Sequence, residues 1–237
     1  MPSIKTQKAP TKKKPVRTKK AKGGILSKLI PLEDAPASNM KISIYGKSGT
    51  GKTTLWSTFP GPILAIICSG LKNPGELDSV AISDRKKITK FVIEDTSELP
   101  ELIAYQKATN KYATVVMDHA TGLYDWYLKE ILGLDELPAQ LSWGLATRDE
   151  WGQASLKTKE TLRQLLDLDC KTVVVAQERE HSNEQEEGSS DLDLIPYICS
   201  CLSANNVNWL NGACNYIVRT HIRKKIKVVT TKIGKKT

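Results

Sequence analysis

Short apolar runs alternate with longer amphipathic stretches along most of the chain, and this order predicts alternating strands and helices. The predicted strands are residues 41–46, 62–68, 90–94, 113–118 and 172–177. The predicted helices are residues 53–59, 99–106, 124–132 and 148–168. Because strands and helices alternate, we expect an α/β fold with a mainly parallel sheet and helices on both faces.

The two ends of the chain have a different character. Residues 1–38 are rich in Lys, Pro, Thr and Ala, which predicts a basic disordered arm, and the domain is expected to occupy residues 39–237. At the other end, residues 215–221 and 226–233 are predicted to form a β-hairpin. The polar segment 178–193 follows the last predicted strand of the sheet and is expected to be a loop.

Charge is distributed unevenly along the 237 residues, whose net charge is +9. Residues 1–28 carry ten Lys and Arg and no acid, and residues 219–237 carry eight and no acid. The middle of the chain holds the other 17 basic residues and all 26 acidic ones. Basic ends on an acidic body suggest attachment to a polyanion, with nucleic acid the natural candidate. The alternative for the N-terminal arm is a solvated tail.

The five cysteines are odd in number and widely spaced, which predicts reduced thiols in a cytoplasmic protein. An alternative is a metal site formed by Cys199, Cys201, Cys214 and His221, although the C-x-C spacing is a weak pattern. No membrane association is expected, since the longest apolar run, residues 63–68, is too short to span a bilayer.

The most specific chemical signal is the pattern G-x-x-x-x-G-K-S/T, which follows the first strand and leads into the first helix. Glycines let backbone N–H groups point towards phosphate oxygens without side chains in the way. Lys52 is expected to contact the β- and γ-phosphates, and the Thr53 hydroxyl to bind Mg²⁺. The predicted nucleotide-binding residues are Gly46, Lys47, Ser48, Gly49, Thr50, Gly51, Lys52, Thr53 and Thr54.

A carboxylate ends the apolar strand 113–118, downstream of this loop. Mg²⁺ prefers hard oxygen ligands, and the carboxyl ends of parallel strands meet at one edge of a sheet. Asp118 is therefore predicted to be the second Mg²⁺ ligand. The alternative is that Asp118 caps the next helix.

Taken together, the phosphate loop and the segments 115–123, 173–177 and 226–233 resemble the core of RecA-type P-loop ATPases. The resemblance is closest to the compact ATPases that phages encode for recombination or single-strand annealing, and it covers residues 40–233. It implies an enzyme that binds ATP and Mg²⁺, works as a homo-oligomer and acts on DNA, with single strands favoured. It also implies that Gln177 senses the γ-phosphate and passes its state to segment 178–193, and that Lys232 reaches the nucleotide of a neighbouring subunit.

The chain departs from this family's pattern at two points. The family has a catalytic glutamate after the second strand, where residues 68–70 here are Cys-Ser-Gly. Glu76 is the nearest replacement to orient the attacking water, with Glu94 behind it. Segment 178–193 carries seven acids and one arginine, so the basic termini are the better prediction for DNA contact.

Three other functions compete with ATP hydrolysis. The first alternative is a binding module that does not hydrolyse nucleotide but whose assembly depends on it. A small-molecule kinase is less favoured because it needs an arginine-bearing lid. A GTPase is disfavoured because residues 110–113 lack the aspartate of the N-K-x-D pattern.

Trp143 and Trp151 could stack on nucleic-acid bases, although core packing is the commoner role for such an indole.

Overall fold

The structure is a computed structural model, and it describes residues 39–68, 75–135, 146–181 and 197–223. The predicted arm therefore lies outside the described residues, as do Lys232 and the second strand of the predicted hairpin. The strands are β1 (Lys41–Gly46), β2 (Ile63–Ile67), β3 (Ile88–Val92), β4 (Thr114–Asp118), β5 (Lys171–His181), β6 (Tyr197–Ser200) and β7 (Tyr216–Thr220). The helices are α1 (Lys52–Ser57), α2 (Ile82–Arg85), α3 (Glu98–Thr109), α4 (Ala120–Leu132), α5 (Arg148–Leu166) and α6 (Ala204–Ala213), with a 3₁₀ turn at Gly75–Leu77.

Six strands form a parallel sheet in the order β3-β2-β4-β5-β1-β7. β5 lies between β1, which leads into the phosphate loop, and β4, which ends in Asp118. In the register of these strands, Gly46 pairs with Gln177 and Asp118 pairs with Val175. The sheet thus brings the phosphate loop, Gln177 and Asp118 to one edge, where ligands bind in open α/β sheets.

Apolar side chains alternate between the two faces of the sheet and form one cluster on each face. On β2, Leu64 and Ile66 belong to the cluster that also includes residues of α3, α4, α5 and α6. Ile63 and Ile67 belong to the other cluster, which is covered by α1 through Trp56. Helices cover both faces of this mainly parallel sheet, so the predicted α/β fold class is confirmed.

The predicted end of β5 was wrong. The last strand of the sheet was expected to end at Gln177, with a polar loop from Glu178, but β5 continues to His181. Its last four residues, 178–181, pair antiparallel with β6. The partner strand satisfies the backbone groups of this charged segment, and this pairing outweighs its low strand propensity.

Three helices or strands, α2, β6 and α6, had no counterpart in the sequence prediction. The α6 sequence, ANNVNWLNGA, contains four asparagines and a glycine, which are poor helix formers. Its apolar residues decide the outcome, because Val207 and Leu210 are buried in the cluster beside α5. Within the described residues, no helix is both long and apolar enough to cross a membrane.

Candidate functional site

The phosphate loop connects β1 to α1, and its glycines have distinct roles. A Cβ on Gly46 would overlap the Thr220 hydroxyl oxygen on β7 and would lie 2.5 Å from the Thr220 carbonyl oxygen. Gly49 and Gly51 have φ angles of 75° and 89°, which glycine adopts readily, and an added Cβ on either would meet no atom within 4 Å. Close packing therefore requires the first glycine, whereas the other two shape a loop with open space beside it.

Lys52 is the first residue of α1, and only 8 % of it is exposed. Its Nζ donates hydrogen bonds to the carbonyl oxygens of Gly46 at 2.7 Å and Lys47 at 2.8 Å, and lies 3.5 Å from Gln177 Oε1. Burial lowers the pKa of Lys52, and the charges of Asp118 and Glu178 oppose that effect. The ammonium group is thus held between the phosphate loop and β5.

The two predicted Mg²⁺ ligands lie together. Asp118 is 4 % exposed, and its Oδ2 is 3.4 Å from the Thr53 hydroxyl. The same oxygen accepts a 3.0 Å hydrogen bond from the indole Nε1 of Trp56. Sequence reasoning missed Trp56. The sequence did contain a signal, which is a tryptophan four residues after Lys52 in a short helix. A buried indole N–H usually needs a hydrogen-bond acceptor, so an acceptor could have been sought near the phosphate loop.

His119 and Thr121 hold the start of α4 beside the site, and neither was predicted. The His119 Nδ1 accepts a 2.8 Å hydrogen bond from Gly122 N, so His119 is the N-cap of α4, the role considered for Asp118 as an alternative. The Thr121 hydroxyl accepts from Gln177 N at 3.3 Å and donates to Cys201 O at 3.0 Å. Cys201 N donates in turn to Gln177 O at 2.7 Å, so the main chain of Gln177 is hydrogen-bonded on both sides.

An ion pair joins β5 to β7 beyond the end of β1. Arg219 Nε and Nη2 lie 2.9 and 3.3 Å from the two carboxylate oxygens of Glu178, whose side chain is 3 % exposed. The hydrogen bonds from Arg219 lower the pKa of Glu178. The first acid of segment 178–193 is therefore paired with a cation.

These elements surround a cavity of about 270 Å³. Its lining includes an open glycine loop, a lysine, a hydroxyl and a carboxylate, which are the donor types that phosphates and Mg²⁺ require. The residues present therefore fit a nucleoside triphosphate with Mg²⁺. The cavity is lined by Ser48, Gly49, Gly51, Lys52, Thr53, Thr54, Ser79, Asp118, His119 and Gln177.

The carboxylates considered for water activation differ in position. The backbone of Glu76 forms part of the 3₁₀ turn before Ser79, which lines the cavity, while the Glu76 side chain is outside the described part of the structure. Glu94 is exposed and does not line the cavity. At the end of β2, Cys68 is 1 % exposed, and burial raises the pKa of its thiol. A neutral thiol therefore stands where the resemblance led us to expect a carboxylate.

Two weaker predictions concerned cysteines and tryptophans. Within the described ranges, no group of three His, Cys, Asp or Glu side chains is placed to hold a metal ion. The Trp151 ring stacks on Tyr124, with centroids 6.1 Å apart and an interplanar angle of 14°. This contact fits a packing role for Trp151, and Trp143 lies outside the described residues.

A family model described as an AAA domain (AAA_24) matches residues 38–236. No curated protein matches the chain.

Three solved structures are similar at low identity. A prototypical ATPase from the type III secretion system of pathogenic bacteria is 14 % identical, with TM-score 0.40, over 66 % of this chain and 48 % of its own, so the chain spans about half of that protein. The flagellar accessory protein FlaH from Methanocaldococcus jannaschii is 8 % identical, with TM-score 0.39, over 78 % of this chain and 73 % of its own. The third structure, an ATPase domain, is 11 % identical, with TM-score 0.39, over 76 % of this chain and 69 % of its own.

Proposed function

The chain belongs to the AAA domain family, and from this membership and the geometry of the site we propose that it binds ATP with Mg²⁺ and hydrolyses it. One observation carries the proposal. Lys52, Thr53, Asp118 and Gln177, contributed by α1, β4 and β5, line a single cavity beside an open glycine loop.

In this proposal the phosphate loop holds the triphosphate, and Lys52 supplies positive charge to its β- and γ-phosphates. Thr53 and Asp118 hold Mg²⁺, which when bound neutralises charge that develops on the transferred phosphoryl group. Gln177 senses the γ-phosphate in this proposal, a role supported by the 3.5 Å distance between its side-chain oxygen and Lys52 Nζ. The main-chain bonds of Gln177 to Thr121 and Cys201 support a further role in passing that state to β6.

A second candidate is a module that binds ATP and assembles without hydrolysing it. The buried, neutral Cys68 favours this candidate, because water activation needs a base near the γ-phosphate. In the first candidate Glu76 supplies that base, three residues before Ser79 of the cavity wall.

Phosphate release separates the two candidates. It is measured with and without single-stranded DNA, beside Lys52→Ala and Glu76→Gln variants. The ATPase proposal expects release that Lys52→Ala abolishes, and expects Glu76→Gln to slow release while nucleotide affinity stays within about threefold. If the unsubstituted protein releases no more phosphate than Lys52→Ala, the ATPase proposal is wrong and the non-hydrolysing module is supported.

We further propose that the protein is phage-encoded and acts on DNA as a homo-oligomer in recombination, repair or replication, with Lys232 completing the site of a neighbouring subunit. The basic ends of the chain and the resemblance to RecA-type cores support this proposal. Mixing two inactive variants, Lys52→Ala and Lys232→Ala, tests the shared site. Mixed oligomers contain some interfaces in which both lysines are intact, so partial activity should return. Electron micrographs with ATP and single-stranded DNA would distinguish rings, filaments and monomers.

A further inference from the structure

The Asp118 carboxylate is bonded to an indole from the helix that follows the phosphate loop. Trp56 is fully buried, and its Nε1 donates to Asp118 Oδ2 at 3.0 Å. Trp56 lies four residues after Lys52 and three after Thr53, so the six residues of α1 carry all three side chains. Residues three apart share one face of a helix, which explains why Thr53 and Trp56 both reach Asp118 at the end of β4.

Two donors converge on a single oxygen of Asp118. The Thr53 hydroxyl lies 3.4 Å from Oδ2, and the indole approaches the same atom from within the apolar cluster. A neutral donor fixes the orientation of a carboxylate without cancelling its charge, so Asp118 keeps the charge that a cation needs. Partners in the outer shell of metal sites orient the ligands, and their loss typically weakens metal binding by roughly 10- to 100-fold.

We propose that Trp56 is the positioning residue of the magnesium site and that its indole N–H sets the direction in which Asp118 faces the cation. This inference rests on the proposed ATP and Mg²⁺ site. It assigns Trp56 a task beyond packing: the N–H controls the affinity that depends on magnesium, while the ring fills the cluster shared with Ile44 and Ile67.

The test uses the full chain and a fluorescent, non-hydrolysable ATP analogue, whose affinity is measured in EDTA and across a series of Mg²⁺ concentrations. Trp56→Phe removes the N–H and keeps an aromatic ring. Ile63→Val is the matched control, because it removes a methyl group from the same cluster at the other end of the strands. We expect Trp56→Phe to bind the analogue in EDTA within about twofold of the unsubstituted protein. Its half-saturating Mg²⁺ concentration should rise about tenfold or more, and that of Ile63→Val should not change.

Two results would overturn the positioning role of Trp56, and a third would overturn the proposed function itself. An unchanged Mg²⁺ requirement in Trp56→Phe overturns the positioning role. Equal losses in EDTA and in Mg²⁺ also overturn it, because they indicate packing alone. If the unsubstituted protein fails to bind the analogue, the proposed function itself is wrong, and this inference falls with it.

A second measurement needs no substitution at Trp56 and covers the case in which Trp56→Phe does not fold. The chain has five tryptophans, whose indole N–H groups can be followed in ¹H–¹⁵N spectra. Selective relaxation by Mn²⁺ bound with the analogue would identify the indole nearest the metal. Replacing Mn²⁺ with Mg²⁺ should shift that signal relative to EDTA. No Mg²⁺-dependent change in any indole signal would overturn the proposal.

Discussion

Gly46 of the phosphate loop and Thr220 of β7 pack so closely that no side chain fits between them. A Cβ on Gly46 would lie 2.5 Å from the Thr220 carbonyl oxygen, which is backbone and cannot rotate away. The contact continues through the loop, because the hydroxyl oxygens of Thr50 and Thr220 are 2.7 Å apart. The last strand of the described chain thus supports the loop that is proposed to hold phosphate.

Gly46→Ala should therefore displace β7 or the loop. We expect the free energy of unfolding to fall by about 1–3 kcal/mol, as in other overpacked sites, with weaker nucleotide binding. Urea denaturation and analogue binding measure the two effects. Gly152→Ala is the control: this glycine lies in α5 with open space around it, so alanine should add about 0.5–1 kcal/mol of stability. Equal stability of the two variants would contradict the close contact.

The Glu178–Arg219 pair should be coupled. Arg219→Gln leaves a carboxylate with only 3 % side-chain exposure without its cation, so the denaturant midpoint should fall. Glu178→Gln together with Arg219→Gln should cost less than the sum of the single changes, because no charge is then stranded. Additive losses would mean that the pair contributes no coupling.

The Glu178–Arg219 pair should also make the stability of the protein depend on pH. The pKa of Glu178 is lowered by its hydrogen bonds from Arg219, so its stabilising contribution is present above the ordinary glutamate pKa. That contribution is lost as pH falls through the lowered folded-state pKa. The stability difference between the unsubstituted protein and Arg219→Gln should therefore shrink in acid, which denaturation at a series of pH values would show.

Asp125 on α4 should affect the pH dependence of stability in the opposite direction to Glu178. Burial raises its pKa to about 6, so the folded protein binds a proton more tightly than the unfolded chain does, and stability falls as pH rises from about 4 to 6. Asp125→Asn should raise the unfolding free energy by about 1–2 kcal/mol at pH 8 and have little effect at pH 4. Glu160→Gln is the control, since this exposed residue on α5 keeps an acceptor for Gln164. A gain from Asp125→Asn that is the same at both pH values would contradict the burial of this carboxyl.

The basic arm can be tested separately from the nucleotide site. Deleting residues 1–28, which carry ten Lys and Arg, should weaken binding to single-stranded DNA and flatten its salt dependence. The slope of log K against log salt should drop by roughly 0.7 for each phosphate that the arm neutralises in the intact protein. A variant of full length with these ten residues changed to Gln separates charge from chain length. Unchanged affinity and slope would remove the arm from DNA binding.

The sequence predicted the centre of the fold better than its edges. β2 and β4 are nearly continuous apolar runs because helices cover both faces of the sheet, and such runs identify buried parallel strands. In β1, the alternating Ile42 and Ile44 identified the strand. β5 was only half predicted, because residues 178–181 are charged and their strand structure depends on β6, about twenty residues further along the chain. Helix α6 depends likewise on packing beside α5, which no local pattern in an asparagine-rich segment reveals.

The candidate site shows the same division. The glycines, Lys52 and Thr53 follow from a motif whose spacing is set by phosphate geometry, so sequence alone located them. Trp56 contacts β4 and Thr121 contacts β5, and those contacts exist only after the sheet brings the elements together. His119 differs, because it caps α4 through Gly122, only three residues further along the chain.

The two-stranded ribbon formed by the end of β5 and by β6 extends away from the candidate site. Residues 178–181 continue beyond Gln177 for roughly 13 Å, at about 3.3 Å per residue. Because both strands are hydrogen-bonded, a small rotation of the ribbon at Gln177 becomes a larger displacement at its far end. A molecule that touches only the tip would therefore be linked, through hydrogen-bonded main chain, to the cavity that is proposed to hold nucleotide.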